Sequence, residues 1–254
     1  MKLGLEQSVG YFANLLLPLA ERMVAAQPQH DSWVLTAPPA SHLPTAAILL
    51  SQRICALLQD KYQGTKRFST VRLYNLRAGT SIHDDALDLQ RFGQYSRSEW
   101  SDRLALIRQN RFEVRADDFK GRGIIFVNDI NVTGASQEHI SQVFAAAFPD
   151  KVNWLYIIDC EKEMGRKHPH LENELNNAGI GTVHEFAAAL ALNGMRHTAK
   201  CISKLFSYEP AALARLLEML DAASKTRLWE AVKMEPLYEG AVYGQKRELL
   251  CKSR

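Results

Sequence analysis

The chain has 254 residues, enough for one large domain or for a domain with an appendage. Hydrophobic residues make up 46% and charged residues 23%, an ordinary globular balance, and a net charge of +3 does not indicate a nucleic-acid binder, which carries a concentrated basic face. Cys55, Cys160, Cys201 and Cys251 form no CxxC pair, no apolar run approaches the roughly 18 residues of a membrane span, and the start around Lys2 and Glu6 does not read as a signal peptide; all three fit a reduced, cytoplasmic chain.

Residues 5–26 read as a helix with Val9, Phe12, Leu15 and Leu16 on one face and Pro18 as a kink or break. QPQHD (27–31) is a turn, and WVLT (33–36) a short buried strand ended by Ala37-Pro38-Pro39. A helix starting near Thr45 places Ala46, Leu49, Leu50, Arg53, Ile54 and Leu57 near one face. FSTVRLYNL (68–76) alternates and is rich in β-formers, so it predicts one strand. The polar stretch 77–98 predicts a long connection, of the kind that often carries function. SEWSDRLALIRQ (98–109) predicts a helix and residues 112–114 the centre of a short strand. GIIFV (123–127) is the clearest buried strand, followed by a helix over 136–148 with Ile140, Val143, Phe144 and Ala147 inward, then the strand VNWLYIID (152–159). Strand–helix alternation to about residue 160 predicts a parallel sheet covered on both faces. Beyond 165 the pattern is helical: Leu213, Leu216, Leu217 and Leu220 form a stripe, Pro210 suits a helix start, and Ser224 suits a cap for a helix burying Leu228, Trp229 and Val232. The expected organisation is an α/β core at 1–164 and a helical C-terminal extension at 165–254.

The stretch GIIFVNDINVTGASQEH (123–139) carries the chemistry. In open parallel sheets ligands sit beyond the carboxyl ends of the strands, and this strand delivers Asn128 and Asp129 to that edge. Gly134 permits close ligand approach, Thr133 and Ser136 offer hydroxyls, and a helix opening near Ser136 turns its free N–H groups back on the loop. Such a loop is a phosphate cradle, and an acid beside it accepts hydrogen bonds from sugar hydroxyls; a ribose 5-phosphate suits both halves. Neither GxxxxGK[ST] nor GxGxxG occurs, so a P-loop or the usual dinucleotide site is not indicated.

Ile124 to Ser136 resembles the phosphoribosyl-pyrophosphate (PRPP) loop of type I phosphoribosyltransferases: four apolar residues, two acids, a short spacer, then Thr-Gly and small residues. It departs from the motif at Asn128, which stands at the first acid. WVLTAPPASHLPTAA (33–47) resembles the strand and pyrophosphate loop of the same family, with Thr36 to Leu43 as the loop, and 77–98 lies where the family has a mobile hood. More narrowly, 94–139, 168–177 and 195–206 resemble a bacterial, ComF-like branch associated with tellurium-resistance and stress gene clusters, so that the likeness covers about 30–206.

The resemblance implies a parallel-sheet, Rossmann-like phosphoribosyltransferase core and a transferase of nucleotide metabolism. Its reaction displaces pyrophosphate from PRPP with a base nitrogen through an oxocarbenium-like transition state, so the protein positions the ribose and stabilises departing charge. By the same resemblance Asp129 is the catalytic carboxylate that holds the ribose hydroxyls, directly or through Mg²⁺, and so is also the metal-ligand candidate. Thr133, Gly134, Ala135 and Ser136 would hold the 5-phosphate; Thr36, Ala37, Pro38 and Pro39 would line the pyrophosphate side. Asn128 still binds a hydroxyl but contributes no charge, which opens the alternative of a weak or inactive ribose-phosphate or nucleotide-sensing module that engages a partner in a bacterial stress or defence system. The implied partners are a small-molecule ribose phosphate or nucleotide, with a homodimer or an operon-encoded protein allowed; neither nucleic acid nor membrane is indicated. Arg77 and Arg103 flank the expected hood, where they are either solvated surface or within reach of pyrophosphate. His83-Asp84-Asp85 reads mainly as a solvated segment of the hood. His168-Pro169-His170 with Cys160 and Glu172 matches no strong zinc spacing.

Overall fold

The computed structural model describes residues 1–76, 100–109, 111–147, 152–177 and 180–254; the expected hood at 77–98, with Arg77 and His83 to Asp85, lies outside the described residues. Helix α1 (Glu6–Ala25) leads into β1 (Ser32–Thr36), α2 (Ala46–Lys61), β2 (Arg67–Thr70) and the short β3 (Asn75–Leu76). Then come α3 (Trp100–Gln109), β4 (Arg111–Phe112), α4 (Ala116–Phe119), β5 (Gly123–Asn131), α5 (Ala135–Ala147) and β6 (Val152–Asp159). The rest is helical: α6 (Lys162–Lys167), α7 (Leu171–Asn177), α8 (Val183–Leu190), α9 (Ala199–Ser207), α10 (Pro210–Glu218), α11 (Ala222–Lys233), two 3₁₀ turns and α12 (Gly244–Lys252).

The main sheet has the order β2-β1-β5-β6, and every pairing in it is parallel. Side-chain alternation along the central strands splits the core in two. Trp33, Leu35, Ile125 and Val127 face α1 and α2, where they meet Ala13, Leu16, Leu50, Ile54 and Leu58. Val34, Ile124 and Phe126 face the other way, onto Ile140 and Phe144 of α5 and onto Phe112 and Phe119. Both faces of β1 and β5 are therefore dry, which is why GIIFV reads as a continuous apolar run.

Several local expectations change. α1 runs unbroken through Pro18, which sits on its exposed face; the buried stripe is Val9, Ala13, Leu16, Ala20 and Val24, and Leu15 is exposed. Arg53 points to solvent, while Cys55 and Leu58 join Leu50 and Ile54 inside. The predicted strand 68–76 splits. β2 leaves the sheet once β1 ends, after the last bond from Val71 N–H to the Leu35 carbonyl (3.0 Å), and β3 pairs antiparallel with β4 instead. Ser224 is the third residue of α11, not its cap. Asp221 is the cap, its carboxylate accepting the Ser224 N–H at 2.6 Å.

The C-terminal helices build a core of their own from Phe186, Leu190, Ile202, Leu205, Leu213, Leu216, Leu217, Leu228 and Leu250, joined by Leu3 and Leu43 from far away in sequence. Trp229 lies only partly buried at its edge. No helix among the described residues is long and apolar enough to cross a membrane.

This second core encloses His197, whose Nδ1 lies 3.7 Å from Cys201 Sγ and whose Nε2 has no hydrogen-bond partner among the described residues. Burial, then the charge of Arg227, holds its imidazolium down from 6.5 to about 4. Below pH 6.5 the unfolded chain takes up a proton that the folded chain refuses, so stability falls as pH drops from 6.5 towards 4. The loss expected by pH 4 is up to about 3 kcal/mol, and thermal unfolding of His197→Gln should show a correspondingly shallower slope over that window.

Candidate functional site

The site begins where two strands of unequal length part. β1 pairs with β5 only as far as Thr36 opposite Phe126. β5 continues to Asn131 with β6 alone, past the Val127 end read from the sequence. Asn128 and Asp129 therefore lie on a strand, beyond the end of β1, at the carboxyl edge of the sheet. A cavity of about 180 Å³ opens there, lined by Asn128 to Ser136 together with Lys2, Pro38 and Glu172.

Asn128 is half-buried, and its Oδ1 accepts the Asp129 N–H at 2.9 Å. Asp129 is 9% exposed. Its Oδ1 accepts the Ile130 N–H at 2.8 Å, and its Oδ2 pairs with the Lys2 ammonium at 2.5 Å. Asn131, buried, donates from Nδ2 to Asp159 at 2.8 Å and to the Gln137 side chain at 3.1 Å. One amide thus ties the root of the loop to the end of β6 and to the first turn of α5.

Gly134 has φ +77°, the left-handed region that glycine enters without strain, and a Cβ placed on it would meet nothing within 4 Å. Its carbonyl accepts the Glu138 N–H at 2.9 Å to open α5, and its own N–H has no partner among the described residues. Thr133 and Ala135 line the cavity from buried positions, and Ser136 is half-buried. Behind the loop, α6 presses Gly165 onto the Val132 backbone so closely that a Cβ there would lie 1.7 Å from the carbonyl oxygen.

The pyrophosphate-side residues separate. Pro38 lines the cavity and Pro39 is half-buried beside it. Thr36 and Ala37 are buried, and the Thr36 hydroxyl donates to the Val71 carbonyl at 2.9 Å. The rest of the loop is clamped from two sides. Arg72 donates to the carbonyls of Ser41 (2.9 Å), His42 (2.9 Å) and Leu43 (3.2 Å). Buried Glu235, just past α11, accepts the N–H groups of His42 and Leu43, each at 3.3 Å. Those two amides are held by the helical layer rather than presented to an anion.

The far wall carries Glu172. Arg103 proves to be fully buried rather than solvated surface: it forms an ion pair with Glu172 and donates to the Pro169 carbonyl at 2.7 Å. Burial pushes the Glu172 carboxyl above the usual range, while Arg103 and then Lys2 pull it back. His168 and His170 meet edge to face, with ring centroids 5.8 Å apart, and His170 lies 3.9 Å from Glu174.

The donors around Asp129 decide whether a divalent cation fits beside the loop. Asp129 Oδ2 is bonded to the Lys2 ammonium, while Asp129 Oδ1 and the Asn128 side-chain oxygen each accept one backbone N–H and keep a second lone pair. With the Lys2 ammonium bonded to Asp129 and Asn128 in place of a second acid, the one carboxylate of the loop is occupied by a cation, and in this arrangement the residues do not fit a magnesium ion.

The family described as PRTase ComF-like matches residues 11–250. The chain belongs to this ComF-like phosphoribosyltransferase family. Its four-stranded parallel sheet is the family's Rossmann-type core. No curated protein and no solved structure matches the chain. The family match runs through the C-terminal helices as well as the sheet, and so includes the Glu235 clamp on the loop after β1.

Sequence reasoning passed over Lys2, Arg72, Asn131, Gly165 and Glu235, and considered Glu172 only as a metal ligand. Each acts through a partner distant in sequence or through a backbone contact, so no local spacing marks it. The small helical glycine at 165 was the one available signal, since an interior glycine in a helix costs stability unless close packing requires it.

Proposed function

We propose that the cavity at the end of β5 binds PRPP or a related ribose 5-phosphate, and that the protein transfers the phosphoribosyl group to or from a nitrogenous base. The observation that carries this reading is the side-by-side placement of Asp129 and the open backbone at Gly134 on one sheet edge. Asp129 accepts from the ribose hydroxyls. The N–H of Gly134, the Ser136 hydroxyl and the positive end of α5 receive the 5-phosphate. Pro38 bounds the side from which pyrophosphate departs. Catalysis on this reading is positioning and charge stabilisation, with no nucleophile from the protein.

A second reading, ribose-phosphate or nucleotide sensing without turnover, is favoured by two features: Asn128 brings no charge, and Asp129 is neutralised by Lys2. Calorimetric titration of the full chain with PRPP and with ribose 5-phosphate, with and without Mg²⁺, tests binding. Pyrophosphate release across a panel of bases then separates the two readings. Asp129→Asn should weaken binding by about tenfold, the size of one lost charge-assisted hydrogen bond. The absence of heat at millimolar ligand under all conditions would overturn both readings.

A further inference from the structure

The family resemblance implies a magnesium ion at Asp129, yet the side chains there have a different arrangement. Asn128 removes one of the motif's two acids, and Lys2 sits on the other at 2.5 Å. The pair is partly withdrawn from water, the Lys2 side chain 25% exposed and that of Asp129 13%, so its attraction is screened less than that of a surface pair. A second cation on the same carboxylate would face an ammonium within a few ångströms, and like charges at that distance repel strongly in a half-buried site.

Lys2 is aimed, not dangling. Its carbonyl accepts the Thr198 hydroxyl at 2.7 Å. The Gly4 carbonyl accepts the Arg196 N–H at 2.9 Å, and the Glu6 N–H donates to the Gly194 carbonyl at 3.1 Å. Leu5 forms an antiparallel bridge with Met195, and Leu3 is buried in the helical core. At Gly4 the backbones run so close that a Cβ would lie 1.7 Å from the Arg196 carbonyl oxygen. The segment 194–198 between α8 and α9 thus grips residues 2–6 and places the Lys2 side chain in the wall of the cavity.

We infer that Lys2 is a ligand-binding residue that stands in for a divalent cation on Asp129, so that the site holds its ribose phosphate without a metal. The inference rests on the ribose-phosphate reading above and adds its metal dependence. The ligand class is a phosphorylated ribose with its 5-phosphate at Gly134 and its ring hydroxyls between Asp129 and Lys2. The ammonium answers the negative charge that the ligand brings, and Asp129 accepts from the hydroxyls. The helical layer enters the chemistry by setting the position of that charge.

The test titrates the full-length chain with ribose 5-phosphate by calorimetry, once in EDTA and once in excess Mg²⁺, for wild type, Lys2→Met and Lys2→Arg. Wild-type affinity is expected to agree in the two buffers within about threefold, and Lys2→Met to lose about tenfold or more in EDTA, the scale of a charge-assisted contact. Mg²⁺ should restore part of the loss in Lys2→Met, because Asp129 is then open to the ion, and Lys2→Arg should stay near wild type. Wild-type binding that requires Mg²⁺, or a Lys2→Met chain that binds like wild type in EDTA, overturns the inference and leaves the ribose-phosphate reading standing. A wild-type chain silent towards ribose 5-phosphate in both buffers overturns this inference, and silence towards PRPP as well removes the ribose-phosphate reading with it. Should Lys2→Met not fold, Lys2→Gln carries the same comparison, and the wild-type arm needs no variant.

Discussion

Replacing Gly165 with alanine should cost about 3 kcal/mol of stability and weaken ribose-phosphate binding by at least about tenfold, although the residue touches no ligand. Gly165 lies in α6, and an added Cβ would fall 1.7 Å from the Val132 carbonyl oxygen and 3.4 Å from the Thr133 N–H nitrogen. The obstacle is backbone, which cannot rotate away as a side-chain tip can. Either α6 lifts, or Val132 and Thr133 shift and carry with them the loop that presents Gly134 and Ser136. Overpacking of this kind is relieved only by displacement, so stability and affinity should fall together. The control is Gly244→Ala at the start of α12, where a Cβ meets nothing within 4 Å and helix propensity favours alanine. Denaturant midpoints and calorimetry on both variants decide it. If Gly165→Ala behaves like Gly244→Ala, the loop does not depend on α6.

The parts of the molecule that were legible in the sequence are those governed by periodicity. The apolar run of β5 and the helix that follows it were placed within a residue at the helix start, because burial on both faces and a small-residue loop are local signals. The limit of β5 was not legible. Asn128 to Asn131 look like loop in composition but pair with β6, since that neighbour extends to Asp159 and so offers a ladder. The same dependence on neighbours broke the predicted strand 68–76: Val71 onward had the right residues but no β1 left to pair with. At the site, Asp129 and Gly134 were visible from the motif, whereas their supports were not. Lys2, Glu235 and Arg72 meet the cavity or its flanking loop from the N-terminal segment, the helical layer and the exit of β2. Such contacts are products of tertiary packing, and no one stretch of sequence contains both partners.

Removing the Arg103 guanidinium should be the most damaging change to the cavity wall. Arg103 is fully buried, and Glu172 faces it with a side chain only 20% exposed. Breaking a buried pair by deleting one partner strands the other charge, at about 3–5 kcal/mol. Arg103→Met keeps the stem and so spares the packing, while it deletes the charge and with it the bond to the Pro169 carbonyl. The pH dependence identifies the cause. Burial already raises the Glu172 carboxyl above its ordinary 4.5, and Arg103 is the largest influence holding it down. Without Arg103 the carboxyl rises further, so the folded variant keeps its proton at pH values where the unfolded chain has lost it. Stability of the variant should therefore fall as pH rises from about 4.5 through the raised folded value, and its deficit against wild type should be greatest at neutral pH and shrink on acidification. Glu172→Gln in the Arg103→Met background removes the titrating group, and should recover part of the loss at pH 7 and flatten the pH profile. Urea unfolding of wild type, the single variant and the double variant at pH 5 and pH 7 makes the comparison. A deficit that is the same at both pH values, and untouched by Glu172→Gln, would place the cost in packing around Arg103 and detach Glu172 from it.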